Sequence, residues 1–262
     1  MQVVHQHAQR RLGVAPHSLR AVTPRELADL VQLADGAPFH IHIAEQTKEV
    51  DDCLAWSGAR PVEWLQANAP IGPSWCVIHA THMTPTETLA LAVSGAVAGL
   101  CPITEANLGD GLFPASEFLA AGGRFGVGSD SNVLIDAAEE LRLLEYGQRL
   151  AVRSRNVLAR RAGGSTGADL YRAALIGGGQ ALGAAAAIKV GAPADFVTFD
   201  PQHPVVVGRQ GDAVLDSFVF AGRRDMIDCV WRNGAKLVTN GAHHRKAEIV
   251  ARYRLVLERV LS

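Results

Sequence analysis

The amino-acid sequence predicts an α/β protein: an incomplete (β/α) barrel, then a small β-rich segment and a terminal helix. Three observations carry this reading. Five short apolar runs, at 12–15, 39–43, 76–79, 96–101 and 125–128, alternate with helical patterns. They are rich in Val, Ile, Leu and Ala without polar alternation, as in a parallel sheet buried on both faces. From Ile188 onward, short β-like runs are spaced by Gly, Pro, Asn and Asp, and the chain ends in helical spacing.

The helix starts have a local mechanism. "TPRE" at 23–26 and "TPTE" at 84–87 each offer Thr as N-cap, Pro at the first helical position and Glu three residues after the cap. Cap and glutamate then satisfy orphan backbone donors reciprocally. Further on, "EELRLLEYGQRLAVRSRNVLARR" (139–161) reads as one helix, "GGSTG" (163–167) breaks the chain, and "ADLYRAALIGGGQALG" reads as a second helix ending in glycines. "IKVGAPADFVTFD", "PVVVG", "DSFVFAG" and "DMIDCVWRNGAKLVTNG" read as β, and "AEIVARYRLVLERVL" as a closing helix. The domain organisation expected is a partial barrel over 1–187, a β-rich segment over 188–241 and a C-terminal helix over 242–262.

Composition narrows the function classes. The chain has 262 residues, 48% hydrophobic and 19% charged, with a formal net charge of -1. That suits one large soluble domain, or one domain plus a smaller one. Without a Lys/Arg block, nothing marks a nucleic-acid footprint or a membrane-surface patch. No apolar run approaches the roughly 20 residues of a membrane helix. The opening residues lack the layout of a signal peptide. Four scattered cysteines form no C-x-x-C pair, and free thiols in a reducing cytoplasm are expected.

The chemistry gathers at strand ends. In "FHIHIAEQ" (39–46), His40 and His42 lie two apart and Glu45 follows where the strand stops. His17 and Arg20 follow the first run, His79 and His82 the third, Asn107 and Asp110 the fourth, and Asp130 the fifth. In a (β/α) barrel the C-terminal strand ends converge on one mouth, where active sites lie. Each residue taken alone has a plainer reading. A single His near a strand is often a hydrogen-bonded core residue, Asp130 suits a helix N-cap, and Arg20 suits a surface pair with Glu26. Recurrence at equivalent positions favours a shared site. His and Asp suit zinc, which holds an open position for water and brings that water's pKa to about 7. Attack on a C=N carbon then needs a proton delivered to nitrogen, for which Glu45 is placed. His79 would polarise the attacked centre or orient the hydroxide, and Arg20 matches a carboxylate bidentately.

"HIHIAEQ", "VIHATH" and "GVGSDSN" resemble the strand-5, strand-6 and strand-8 signatures of the amidohydrolase superfamily in its deaminase branch, and "GAPADFVTFD" its post-barrel β-segment. More narrowly, "GVAPHSLRAVTP", "GLCPITEANLGDGLFP" and "GSDSNVLIDAAEELRLLEYGQRL" resemble the formimidoylglutamate deiminase family of histidine degradation. The resemblance implies a TIM-type (β/α)8 barrel of which about strands 4 to 8 are here. It implies His42 and Asp130 as ligands of one zinc ion, Glu45 as proton shuttle, and His79 with Asp130 assisting hydroxide attack. His17 and Arg20 become contacts to a small substrate bearing carboxylates. The reaction implied is hydrolysis of N-formimino-L-glutamate to N-formyl-L-glutamate and ammonia, by a cytoplasmic homo-oligomer in the full-length form.

The family also carries an H-x-H pair on its first strand, which supplies two further ligands. "HQH" at 5–7 has that spacing but no strand before it and no room for two βα units after it, so His5 and His7 are expected in a helix or loop. The chain is expected to begin near the fourth strand, with a half-built metal site and little activity alone. Two other readings stay open: a non-catalytic fragment needing a complementary chain, and a deaminase of guanine or adenosine type. Arg20 argues against the last, because a nucleobase has no carboxylate to clamp.

Overall fold

Four of the five apolar runs form one parallel sheet, in the order in which they occur along the chain. The strands are β1 (Phe39–Ile43), β2 (Trp75–His79), β3 (Val97–Leu100) and β4 (Arg124–Val127). The ladder is in continuous register, with Phe39 opposite Trp75, Cys76 opposite Val97 and Val97 opposite Arg124. Ile41, Ile43, Val97, Ala98, Leu100 and Phe125 are buried, as strands covered on both faces require. The structure is a computed structural model and describes residues 11–131, 133–184 and 187–262. These fall into two compact units, divided between residues 186 and 187. His5 and His7 lie outside the described residues.

The run at 12–15 does not become a strand. Val14 and Ser18 instead make isolated parallel bridges to Phe39 and His42. Four steps on the outer chain thus face three on β1, and Pro16, which has no N–H for a ladder, lies in the gap. The bridging still supplies edge bonds, His40 N–H to the Val14 carbonyl and His42 N–H to the His17 carbonyl.

Between the strands run α1 (Pro24–Ala34), α2 (Thr47–Ser57), α3 (Pro61–Asn68), α4 (Pro85–Ser94), α5 (Pro102–Leu108) and α6 (Ala115–Ala120). The capping boxes expected at Thr23–Glu26 and Thr84–Glu87 are both present, with Pro at the first turn. After β4 come α7 (Ala137–Val152) and α8 (Thr166–Ala181). α7 stops well short of Arg161, the end its sequence pattern predicts, because Arg153 is left-handed at φ 54°. The cause is tertiary. Fully buried Glu145 accepts from the N–H groups of Val157 and Leu158 and folds that segment back along the helix.

α8 lies directly on β4 and shows why its glycines are there. A Cβ on Gly177 would overlap the Phe125 carbonyl, and one on Gly126 would stand 3.0 Å from the Gly178 Cα. Backbone therefore touches backbone at this contact.

The second unit has an antiparallel sheet of β5 (Phe196–Phe199), β6 (Ile227–Arg232), β7 (Ala235–Thr239) and β8 (Ala242–His243). Two expected β runs fold otherwise. "PVVVG" forms turns, and "DSFVFAG" belongs to helix α9 (Asp212–Phe220), whose Phe218 ring stands 5.0 Å from that of Phe199. A short apolar run has no period that separates a buried strand from a buried helix. The chain ends in α10 (Lys246–Leu261).

Candidate active site

The C-terminal ends of β1, β2 and β4 bring His42, His79 and Asp130 together. One ligand-type atom from each lies within 4.8 Å of the others. All three strand ends leave extended geometry through a left-handed residue that is not glycine: Ala44 (φ 48°), His79 (φ 68°) and Asp130 (φ 41°). Such backbone costs about 1–2 kcal/mol per residue and concentrates where a site requires it. At His79 the consequence is direct. The ladder pairs His79 with Ile43, which would put its side chain on the face opposite His42. The left-handed turn brings its ring back, to 5.5 Å from that of His42.

His42 is held in one tautomer. Its Nδ1 lies 2.7 Å from the His17 carbonyl oxygen, which can only accept, so Nδ1 carries the proton and Nε2 keeps a lone pair. His40, one layer below, lies away from the cluster. Its Nε2 donates to the Ala181 carbonyl at 2.9 Å and so satisfies an end-of-helix acceptor of α8.

His79 is buried, and its surroundings are acidic. Its Nδ1 lies 3.2 Å from Glu105 Oε1. Its Nε2 stands 3.7 Å from Glu45 Oε1 and 3.7 Å from Asp130 Oδ2, and is buried without a hydrogen-bond partner. Burial opposes a charged ring. The bond to Glu105 and the charges of Glu45, Glu105 and Asp130 outweigh it, and the imidazole is held above the ordinary histidine pKa.

Asp130 is not a helix cap. That place belongs to Asp136, which accepts from Ala138 and Glu139 at the start of α7. His82 is a brace between loops: its N–H donates to the Ala44 carbonyl and its Nε2 to the Asp110 carbonyl, at 3.0 and 2.7 Å.

The outer flank is more open. The His17 ring stacks on His42 with centroids 4.9 Å apart. Arg20 is 45% exposed and reaches Glu45 and Glu49 only loosely, at 3.9 Å each. Glu26 faces its own cap residue Thr23 instead. A cavity of about 420 Å³, lined by Arg20, Glu49, Leu19, Trp56 and Pro61 among others, opens on this side; His42, His79 and Asp130 do not line it. The distances therefore connect six of the residues singled out from the sequence: His17, Arg20, His42, Glu45, His79 and Asp130.

Two buried glutamates escaped the sequence reading. Glu49, in the first turn of α2, accepts from the N–H groups of Ala44 and Glu45 at 3.1 and 3.0 Å and fixes the turn that presents Glu45. Glu105, in the first turn of α5, accepts from Cys101 N–H at 2.9 Å as well as from His79. The available signal was position: each stands four residues after a strand-end residue whose N–H it accepts, Glu45 in one case and Cys101 in the other.

The donor set fits a divalent metal of zinc type: the His42 imidazole, with Nε2 available, and the Asp130 carboxylate converge, and beside them the buried Nε2 of His79 has no hydrogen-bond partner of its own.

The comparisons agree with this geometry. The chain is 52% identical over 238 residues to the formimidoylglutamate deiminase of Pseudomonas aeruginosa, covering 90% of this chain and 52% of that one. It is 32% identical over 200 residues to a 5-methylthioadenosine/S-adenosylhomocysteine deaminase of Natronomonas pharaonis, covering 74% of this chain and 45% of that one. Among solved structures, an amidohydrolase from Brucella melitensis superposes with a TM-score of 0.91 at 52% identity, over 96% of this chain and 55% of that one. An adenosine deaminase from Xanthomonas campestris with bound zinc gives 0.87 at 25% identity, over 99% and 60%. The chain thus spans about half the length of the curated relatives it matches. The amidohydrolase family model matches residues 1–237, and with the strand-end cluster of His42, His79 and Asp130 this places the chain in the amidohydrolase family.

Proposed function

We propose that the chain carries the deiminating half of a formimidoylglutamate deiminase. The reaction would be hydrolysis of N-formimino-L-glutamate to N-formyl-L-glutamate and ammonia in a reducing cytoplasm. The observation that carries the proposal is the 52% identity to the Pseudomonas enzyme over 238 residues, 90% of this chain. We take the four-stranded parallel unit as about strands 5 to 8 of a (β/α)8 barrel, with the bridged residues 14–18 at the place of strand 4. Beyond it, the composite β-rich segment expected over 188–241 would run on through β8 to His243, and the terminal helix expected over 242–262 would be α10, from Lys246 to Leu261.

His42 and Asp130 would hold one zinc ion, with two further ligands from an H-x-H pair of an N-terminal barrel half, not from His5 and His7. When bound, zinc supplies Lewis acidity and brings the pKa of water to about 7. The chain's own residues do the rest. Arg20, exposed at the rim, pairs with a substrate carboxylate, and His17 packs beside it. Glu45, held by the Glu49-braced turn, takes the proton of the attacking water and returns it to the departing nitrogen. His79, with its Nε2 between Glu45 and Asp130, hydrogen-bonds the attacking water and keeps its aim. A nucleoside-type substrate fits less well, because it offers Arg20 no carboxylate.

The test measures zinc content and ammonia release from N-formimino-L-glutamate. The chain is assayed alone and together with the N-terminal half of the Pseudomonas enzyme. Little turnover alone, with turnover and stoichiometric zinc on complementation, is expected. Complementation that restores zinc but releases ammonia only from 5-methylthioadenosine or S-adenosylhomocysteine would replace the substrate. Stoichiometric zinc and full turnover from the chain alone would move the ligand assignment to His5 and His7.

A further inference from the structure

Glu105 does something no assignment above gives it. Its carboxylate is buried, and one oxygen, Oε1, accepts both Cys101 N–H (2.9 Å) and His79 Nδ1–H (3.2 Å). Cys101 is the residue at which β3 becomes α5, so the bond ties Glu105 to fixed backbone. The imidazole it holds belongs to the neighbouring strand and sits in strained left-handed geometry. A neutral imidazole has one N–H and one lone pair, and a carboxylate oxygen can only accept. The contact therefore decides which nitrogen bears the proton.

We propose that Glu105 is a positioning residue of the reaction: anchored to Cys101, it fixes His79 as the Nδ1–H tautomer and aims Nε2 at the space between Glu45 and Asp130. Without Glu105 the ring has no other hydrogen-bond partner in the described contacts, and the face it presents to substrate is undetermined. Carboxylates behind metal-ligating histidines fix tautomer and orientation in this way, at a cost of about 10- to 100-fold when lost, and the same magnitude is the expectation for a histidine that aims a water. The proposal rests on the deiminase reading only for the kinetic half of its test.

That both bonds go to one oxygen makes two variants informative. Glu105→Gln keeps an acceptor oxygen of the same reach. Glu105→Met keeps the length and loses the acceptor. The first measurement uses metal-free protein: multiple-bond ¹H–¹⁵N correlation spectra of the histidine rings, above the titration of His79, with His79→Asn to assign its signals. The wild type and Glu105→Gln are expected to show His79 protonated at Nδ1. Glu105→Met is expected to show a mixture or the other tautomer.

The second measurement uses the zinc-loaded, complemented enzyme. Glu105→Met is expected to lower kcat by about 10- to 100-fold with KM within about twofold, and Glu105→Gln to stay within a few-fold of wild type. A wild-type His79 protonated at Nε2 overturns the proposal, and needs no variant to fold. So does Glu105→Met with unchanged tautomer and kcat, or Glu105→Gln as impaired as Glu105→Met. Tautomers as expected with no ammonia from any form would support the positioning role and overturn the deiminase reading.

Discussion

The two flanks of the mouth are built differently. On the buried flank the groups are positioned from behind: Glu105 holds the His79 ring, Glu49 holds the backbone turn bearing Glu45, and His82 braces the loops. On the outer flank, Arg20 is exposed and its ion pairs are long, at 3.9 Å. Proton handling needs groups that do not reorganise as charge develops, in surroundings where water does not screen them. Recognition of a charged substrate needs a group that a ligand can still approach. The comparison makes a general expectation: damage to the buried flank lowers kcat or stability, and damage to the outer flank raises KM.

The largest effect tests the buried flank directly. Glu45→Gln keeps shape and hydrogen bonding but carries no proton. In the zinc-loaded, complemented enzyme kcat is expected to fall by about 10²- to 10⁴-fold with zinc content unchanged. Loss of zinc from this variant would make Glu45 a metal ligand and break the division of roles.

Next comes a cost built into the same flank. Glu140 is buried, with Oε2 accepting Ile103 N–H at 2.9 Å and Oε1 without a partner. Burial pushes its carboxyl up from 4.5 to about 7; the Ile103 bond opposes this, and the charges of Glu105, Asp130 and Asp136 add to it. A folded-state pKa above the unfolded one means the folded form favours the proton. Its contribution to stability is complete below about 4.5 and is lost as pH rises through about 7. Urea unfolding of metal-free protein should therefore show roughly 3 kcal/mol of stability lost across that window from this group. Glu140→Gln should flatten the loss. An unchanged pH profile in that variant would place the titration elsewhere.

Arg20→Ala probes the outer flank. A charge-assisted hydrogen bond contributes about 1.5–3 kcal/mol, so KM for N-formimino-L-glutamate should rise about 10- to 100-fold with kcat within a few-fold. A fall in kcat with KM unchanged would mean that Arg20 acts by holding Glu45, and the contrast between flanks would disappear.

The same contrast separates what the sequence shows from what it hides. Strands β2 and β3 are legible because a strand buried on both faces is a near-continuous apolar run, β1 because Phe39, Ile41 and Ile43 alternate with histidines, and the site because His and Asp stand at or just after the strand ends. Glu49 and Glu105 are hidden because a glutamate in a first helical turn also reads as an ordinary partner of the helix dipole. Only folding shows that these two are buried and reach back to a strand end. The left-handed turn at His79 is hidden too, since nothing in "VIHATH" marks a residue that will leave the ladder. In the second unit, "DSFVFAG" misleads for a related reason: its apolar run suits a strand as well as the helix it forms.

The smallest effect compares one motif in two settings. At Thr23 the hydroxyl accepts from Glu26 N–H at 3.2 Å, and Glu26 returns a bond to Thr23 N–H at 2.8 Å, in the open. At Thr84 the same two bonds recur at the same lengths, but Glu87 is buried and also takes Arg60 Nε–H at 2.8 Å. Arg60 donates in turn to the His82 carbonyl, so this box is continuous with the loop that follows His79. Losing a Thr cap costs about 0.5–2 kcal/mol. Water can replace the lost partner at Thr23, which puts Thr23→Ala near the low end. At Thr84 the freed N–H of Glu87 is partly shielded and the glutamate loses alignment with Arg60, which puts Thr84→Ala near the high end. Paired urea titrations of the two variants should therefore differ by roughly 1 kcal/mol, with the larger loss at Thr84. Equal losses would show that burial around Glu87 adds nothing to its cap, and that the fixed character of this flank comes from Glu49 and Glu105 alone.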